Sequence, residues 1–287
     1  MATMFFGQYL LGKGVIDRGA LLDALDRQRR SNFSLPELAV QHGLINRAKA
    51  NSIMVRYRMS DAPIEIILEE TGELNPDEVR RLQSIQRSSW LRIGAALVEG
   101  GHLDEEDLAD ALEGYRSLES ATDQQIREAM RHLPDSEAVS ACVELTVFHF
   151  GRVTMRPSKL VSVSVEPDSL ASDRRRFSQR IVGDGDYTIA VDLSPVLVSS
   201  IARGMLGFEV EAGSETEVDA VCEVINLIGG NACTRVEQLG LLLRPEPPVW
   251  SGASGLVSQP APVVRAVVVS EEEEFDIRLF TPTDGGK

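Results

Sequence analysis

Asp219-Ala-Val-Cys-Glu223-Val-Ile-Asn226-Leu-Ile-Gly-Gly230 is an apolar run that carries a carboxylate, a carboxamide and glycine where aliphatic residues would serve a helix better. At about 100° per residue, Asp219, Glu223, Asn226 and Gly230 fall in one narrow helical stripe. Asparagine is a mediocre helix former, and glycine costs about 1 kcal/mol against alanine in a helix interior. Local stability accounts for neither residue, so the stripe marks a face with another purpose. The spacing also occurs earlier: Ser140, Glu144, Val147 and Gly151 each stand 79 positions before Asp219, Glu223, Asn226 and Gly230. The carboxyl-terminal part therefore reads as two diverged halves, each built on a long helix, with Val147 in the place of Asn226.

Around these helices the period changes from 3.6 to 2. A helix over residues 136–153 leads to Leu160-Val-Ser-Val-Ser-Val165, whose alternation predicts a strand. Residues 177–182 and 187–193 predict a hairpin across Gly183-Asp-Gly-Asp186. Ser194-Pro195 predicts an N-cap followed by a first-turn proline. The helix bearing the stripe is expected over 215–239, strands over 241–249, 262–269 and 275–280, and the acidic residues 271–274 read as a solvated turn. Residues 136–287 thus form an expected α/β (α+β) domain, with long helices packed on a mostly antiparallel sheet.

The first 118 residues repeat. Gly14, Gly43, Gly72 and Gly101 recur every 29 positions, and each is followed three residues later by Asp17, Asn46, Asn75 or Asp104. Each copy predicts a helix ending at a left-handed glycine and a second helix N-capped by Asp or Asn. The expectation is an all-α helical-hairpin domain over 1–118 and a partly helical linker over 119–135, where the aliphatic pattern stops.

A chain of 287 residues fits two domains. Its net charge of −15 disfavours nucleic acid, whose phosphates are gripped by clustered Lys and Arg. No apolar run approaches the roughly 20 residues that span a bilayer, and the start lacks the pattern of a signal peptide, so a cytoplasmic location is expected. Cys142, Cys222 and Cys233 form no C-x-x-C pair and read as small buried thiols; His42, His102, His132 and His149 show no metal-ligand spacing. No metal site and no cofactor are expected.

On the residues alone, the stripe has three readings. It could bind a metal, for which one carboxylate and one amide are too few ligands. It could be structural, with Asn226 tying a neighbouring backbone and Gly230 admitting a close helix. Or it could present polar groups that orient water on a partner's labile bond, a task suited to an amide because it donates and accepts while uncharged.

Asp219-x-x-x-Glu223-x-x-Asn226, followed by Pro247-Pro248, resembles the signature of the CheC/CheX/FliY-type chemotaxis phosphatases. Residues 187–207 are similar to that family's strand and helix ahead of the signature helix, and residues 223–232 to its text around the Asn. One intact copy beside one decayed copy resembles the CheX branch. The resemblance implies a protein-aspartyl-phosphate phosphatase acting on a phosphorylated response-regulator receiver domain. Asn226 would orient the attacking water, Glu223 would engage the receiver, and Asp219, Gly230 and Pro248 would support them. It also implies a homodimer, and places the Mg²⁺ of the reaction in the phosphorylated partner rather than in this chain. The rival from another class is a non-catalytic adaptor that binds a receiver through the same face.

The helical repeats, with Phe6-Gly7-Gln8-Tyr9-Leu10-Leu11-Gly12 and Arg92-Ile93-Gly94-Ala95-Ala96-Leu97, resemble the N-terminal domains of type II secretion and type IV pilus ATPases. The MshE type among these binds cyclic di-GMP through motifs that begin Arg-Leu-Gly and end downstream in Gln. Here the first copy keeps Gly7 and Gln28 but has Phe5 for the arginine, and the fourth keeps Arg92 and Gly94 but has Tyr115 for the glutamine. The degenerate pattern argues against cyclic di-GMP and for a docking or regulatory role, a cyclic di-GMP-responsive regulator being the third functional reading.

Overall fold

The computed structural model describes residues 5–60, 62–133, 136–238, 240–250, 262–270 and 273–280. The chain falls into two compact units that part between Ala121 and Thr122.

The first unit is helical: α1 (Phe6–Gly12), α2 (Arg18–Ser31), α3 (Leu35–Gln41), α4 (Arg47–Arg58), α5 (Ile64–Glu70), α6 (Pro76–Ser89), α7 (Ile93–Glu99) and the start of α8 (Glu105–Arg131). Gly14, Gly43, Gly72 and Gly101 take φ of +70°, +69°, +69° and +72°, the left-handed conformation that ends a helix without steric cost only in glycine. Asp17, Asn46, Asn75 and Asp104 then accept from the N–H groups of Ala20, Lys49, Glu78 and Asp107. Each such cap contributes about 1 kcal/mol to its helix. The aliphatic faces close into two separate cores. Leu35, Leu38, Ile53, Ile67, Leu68 and Leu82 join α3 to α6; Leu10, Leu21, Ala24, Ala96, Leu97 and Leu103 join the first helix pair to the fourth. The stretch expected as a linker is helical as far as Arg131, because Glu, Gln, Ala, Arg and Met sustain a helix after the aliphatic repeat has ended. Along it Thr122 and Met130 are buried and Ile126 packs on the core of the second unit.

The second unit runs α9 (Ser136–Thr154), β1 (Ser158–Pro167), β2 (Arg175–Gly183), β3 (Asp186–Leu193), α10 (Pro195–Leu206), α11 (Glu215–Glu237), β4 (Leu243–Pro245), β5 (Val249–Trp250), β6 (Pro262–Ser270) and β7 (Glu273–Phe280). Ser194 caps α10 by accepting from the Leu197 N–H, and Pro195 occupies the first turn. The strands form one antiparallel sheet in the order β1-β6-β7-β3-β2-β4, with β5 also on β2. One face of the sheet, including Phe177, Ile181, Ile189, Val191, Val264, Ala266, Phe275 and Ile277, shares a core with α9, α10 and α11. On the other face Asp192 accepts from Nε of both Arg176 and Arg278 at 2.7 Å. Burial works against the Arg176 charge, but hydrogen bonds to Asp192 and Asp168 hold its pKa above the ordinary guanidinium value.

The single strand expected over 241–249 is two short pieces. Pro247 and Pro248 have no N–H to give to a ladder, and the register on β2 slips by one residue across them: Ile181 faces Pro245, whereas Phe177 faces Trp250. Glu271 and Glu272 of the acidic run, and Leu239 at the expected end of the long helix, lie outside the described residues.

The sheet order is unchanged when β1 is exchanged with β4 and β5, β2 with β6, and β3 with β7. Both hairpins join a strand of nine residues to one of eight. The third and fifth residues of β2, Phe177 and Gln179, face Val191 and Ile189; the third and fifth of β6, Val264 and Ala266, face Leu279 and Ile277. The likeness of the two long helices in sequence thus extends to the strands, and sets Gln179 in correspondence with Ala266.

Candidate functional site

The stripe lies on α11. Ser214 caps the helix by accepting from the Glu217 N–H. The fully buried Glu217 carboxylate in turn accepts from Arg175 Nη1 (3.1 Å), Ser199 Oγ (2.5 Å) and the Gly213 N–H (2.6 Å). These bonds tie the start of α11 to β2 and α10. Val221, Val224, Ile225 and Ile228 bury the opposite face, which leaves Asp219, Glu223 and Asn226 exposed to solvent one turn after another. The half-buried Cys222 lies among them; burial, then the charges of Asp219 and Glu223, push its thiol pKa up.

Asn226 is exposed yet not loose. Its Oδ1 accepts from Nε2 of Gln179 at 3.0 Å, and the same nitrogen donates to the Glu246 carbonyl at 2.8 Å. Gln179 is fully buried, between Phe177 and Ile181 on the inward face of β2. The Glu246 oxygen sits at the register slip that Pro247 and Pro248 impose, and the Glu246 N–H still donates to the Arg180 carbonyl at 2.8 Å. At the other end of the amide, Gln179 Oε1 is buried without a hydrogen-bond partner among the described residues. A buried acceptor left so costs about 1–3 kcal/mol. It occupies the space over Gly229, where an added Cβ would come within 1.9 Å of Oε1.

This corrects the expected role of Gly230. A Cβ there would meet nothing within 4 Å, because Gly230 shares the outward stripe while Gly229 faces the sheet. Sequence reading missed Gln179 and Gly229. The signal was a glutamine at an inward position of a period-2 strand, with apolar neighbours two residues to either side. Pro248 acts with Pro247 on the backbone rather than as a polar participant. Among the described residues no group of three or more His, Cys, Asp or Glu could hold a metal ion.

The corresponding face of α9 is different. Val147 is half-buried against the core, and Glu144 pairs with Arg235 at 2.8 Å. Phe150, the counterpart of Gly229, is buried and stacks on Phe275 with ring centroids 4.6 Å apart. Where α11 and β2 bring together Asn226, Gly229 and Gln179, the corresponding positions of α9 and β6 hold Val147, Phe150 and Ala266.

In the helical unit, the residues expected as a degenerate nucleotide site serve packing. Added Cβ atoms on Gly7 and Gly94 would lie 2.6 Å and 2.7 Å from Leu21 and Leu108, so both glycines admit the neighbouring helix of their own copy. The Gln28 amide donates to the Leu91 carbonyl at 2.9 Å, and Arg92 alone of the four is exposed. Three of the four groups are thus engaged in packing or hydrogen bonding within the helical unit.

No helix among the described residues is long and apolar enough to cross a membrane. No family model matches the chain, and no curated protein matches it. Solved structures similar to it include the chemotaxis protein CheX from Desulfovibrio desulfuricans, 19% identical, covering 51% of this chain and 99% of that one with a TM-score of 0.46. CheX from Vibrio vulnificus is 17% identical, covers 51% of this chain and 99% of that one, and has a TM-score of 0.46. A chemotactic CheC-like protein from Shewanella oneidensis is 17% identical, with 52% and 100% covered and a TM-score of 0.47. These similarities fall on the carboxyl-terminal half and lend no support to a likeness between the helical unit and the secretion and pilus ATPases.

Proposed function

We propose that the α11 face is a protein-aspartyl-phosphate phosphatase site acting on a phosphorylated receiver domain. The observation that carries this reading is the exposed Asn226 carboxamide, held by a buried amide and standing one turn from the exposed Glu223 carboxylate. Hydrolysis of an acyl phosphate asks little covalent chemistry of the protein that assists it; a water must be placed in line with the phosphorus. An uncharged amide can hold that water without repelling the phosphoryl oxygens, and placing it contributes about two orders of magnitude or more in rate. Glu223 supplies the charge that engages a basic group of the receiver, and Asp219 adds to the negative field beside it. The metal ion of the reaction belongs to the receiver in this reading. The helical unit serves to dock or regulate, and the cytoplasm is where such a receiver is met.

Phosphate release from purified receivers of the same genome, each phosphorylated with phosphoramidate, tests the reading. The wild-type chain is expected to accelerate release from at least one of them, and Asn226→Ala to lower kcat on the order of a hundredfold. Glu223→Ala is expected chiefly to raise KM, by about tenfold. Binding of a receiver with no acceleration would instead establish the adaptor reading, and an unchanged kcat in Asn226→Ala would remove the mechanism.

A further inference from the structure

We propose that Gln179 is a positioning residue for Asn226, and that the pair with Gly229 forms one device: a buried amide that fixes an exposed one. The proposal rests on the reading of Asn226 as the group that orders the attacking water.

The orientation follows from donor and acceptor chemistry. The Glu246 carbonyl can only accept, so the end of the Gln179 amide that faces it, at 2.8 Å, must be the NH₂ end. The second hydrogen of that same nitrogen meets Asn226 at 3.0 Å, so the atom of Asn226 turned inward must be Oδ1. Asn226 therefore presents Nδ2 to solvent, with both hydrogens free of Gln179 and one lone pair left on Oδ1. A water beside it can accept from Nδ2 and donate to Oδ1, and is then held in one orientation. Without Gln179 the amide is free to rotate about its terminal bond, and the two ends exchange places.

Two further observations set this apart from ordinary packing. Gln179 leaves Oε1 buried without a partner among the described residues, a destabilising arrangement that an apolar side chain of the same length would avoid. It fits there because position 229 is glycine; an added Cβ would stand 1.9 Å from Oε1. Moreover, the parts change together between the two halves. Ala266, which occupies the β6 position corresponding to Gln179, goes with Val147 in place of Asn226 and Phe150 in place of Gly229. The buried amide and its glycine are found around the helix that has the exposed amide, Gln179 reaching α11 from the β2 strand of the other half, and none of the three occurs at the corresponding positions around α9.

The test uses the full chain and its Gln179→Met variant, which keeps length and volume while removing both donors. The receiver is whichever the wild type dephosphorylates fastest, phosphorylated with phosphoramidate. Expected are a fall in kcat of about tenfold to a hundredfold with KM unchanged within about twofold, and a fall in the ¹⁵N order parameter of the Asn226 side-chain NH₂. A second variant, Gln179→Glu, offers Asn226 an acceptor in place of a donor; the same order parameter is expected to stay high while kcat falls, because Nδ2 then turns inward. An Asn226 side chain as ordered in Gln179→Met as in the wild type would overturn the proposal, and so would lost order with kcat unchanged. If no receiver is hydrolysed by the wild type, the phosphatase reading fails, and the order parameters still decide whether Gln179 fixes Asn226.

Discussion

α9 and α11 share a spacing of polar and small residues, yet they meet the sheet in different ways. At the position where α9 sets the Phe150 ring against Phe275, α11 has Gly229 and receives a glutamine from β2. One turn back, α9 rests Val147 on the core, whereas α11 holds Asn226 out in solvent by a hydrogen bond from beneath. Bulk at the helix–sheet interface excludes a buried amide, and removal of that bulk admits one. The two helices therefore show how a duplicated unit can keep one helix packed on the core and let the other hold an amide in solvent, through exchanges at a helix position, its neighbour one turn away and a strand position.

Three experiments would break or sharpen that contrast. The largest effect is expected from truncating the bulk that α9 keeps. Phe150→Ala should destabilise the protein by about 3–5 kcal/mol in urea unfolding, with kcat per folded molecule unchanged. Gly229→Ala should cost less stability, about 1–3 kcal/mol, because Gln179 can be pushed aside, but should lower kcat by the factor expected for Gln179→Met. Equal catalytic losses in both would erase the distinction between the helices.

A smaller effect concerns the thiols. Burial pushes the Cys142 pKa, on α9, up to about 12, so at pH 8 only about one molecule in ten thousand is thiolate and alkylation should be negligible in the folded protein. Cys222 is half-exposed, and its pKa is raised by burial and by the charges of Asp219 and Glu223. Removing a neighbouring negative charge lowers a thiol pKa, so Asp219→Asn and Glu223→Gln should each speed Cys222 alkylation, by about twofold to fivefold for a surface charge interaction of up to about 1 kcal/mol. An unchanged rate would place those carboxylates away from Cys222 in solution. The smallest change is expected from Val147→Asn. With Ala266 in the place of Gln179 and Phe150 in the place of Gly229, the new amide lacks the donor that fixes Asn226, and kcat per chain should be unchanged. A doubled kcat would show that the α9 face lacks nothing but the asparagine.

The sequence showed most plainly what is local. Gly14, Gly43, Gly72 and Gly101 and the four caps behind them announce their own backbone geometry, because a left-handed turn and an orphan N–H are satisfied within a few residues. The bounds of α9 and α11 and the hairpin of β2 and β3 were visible in period and turn chemistry. Of the site, only the outward stripe was legible. Gln179 and Asn226 are 47 residues apart, and no periodicity on α11 reports what a strand brings beneath it. Gly229 went unnoticed for the same reason: the stripe shows what faces solvent, as Gly230 does, while close approach is decided on the face that the sequence cannot see. Residues 241–249 read as one strand, and the missing N–H groups of Pro247 and Pro248 divided it.

The nesting of the helical unit has a consequence for how it is made. Its inner core joins the second and third helix pairs, which are neighbours in the chain, whereas its outer core joins the first pair to the fourth. During synthesis the first pair has no lasting partner until the fourth has emerged, while α3 to α6 can close as soon as they are complete. Truncation between the third and fourth copies would leave the inner core whole and strand the amino terminus, so the unit has a core of short sequence separation and an outer layer that can assemble only last.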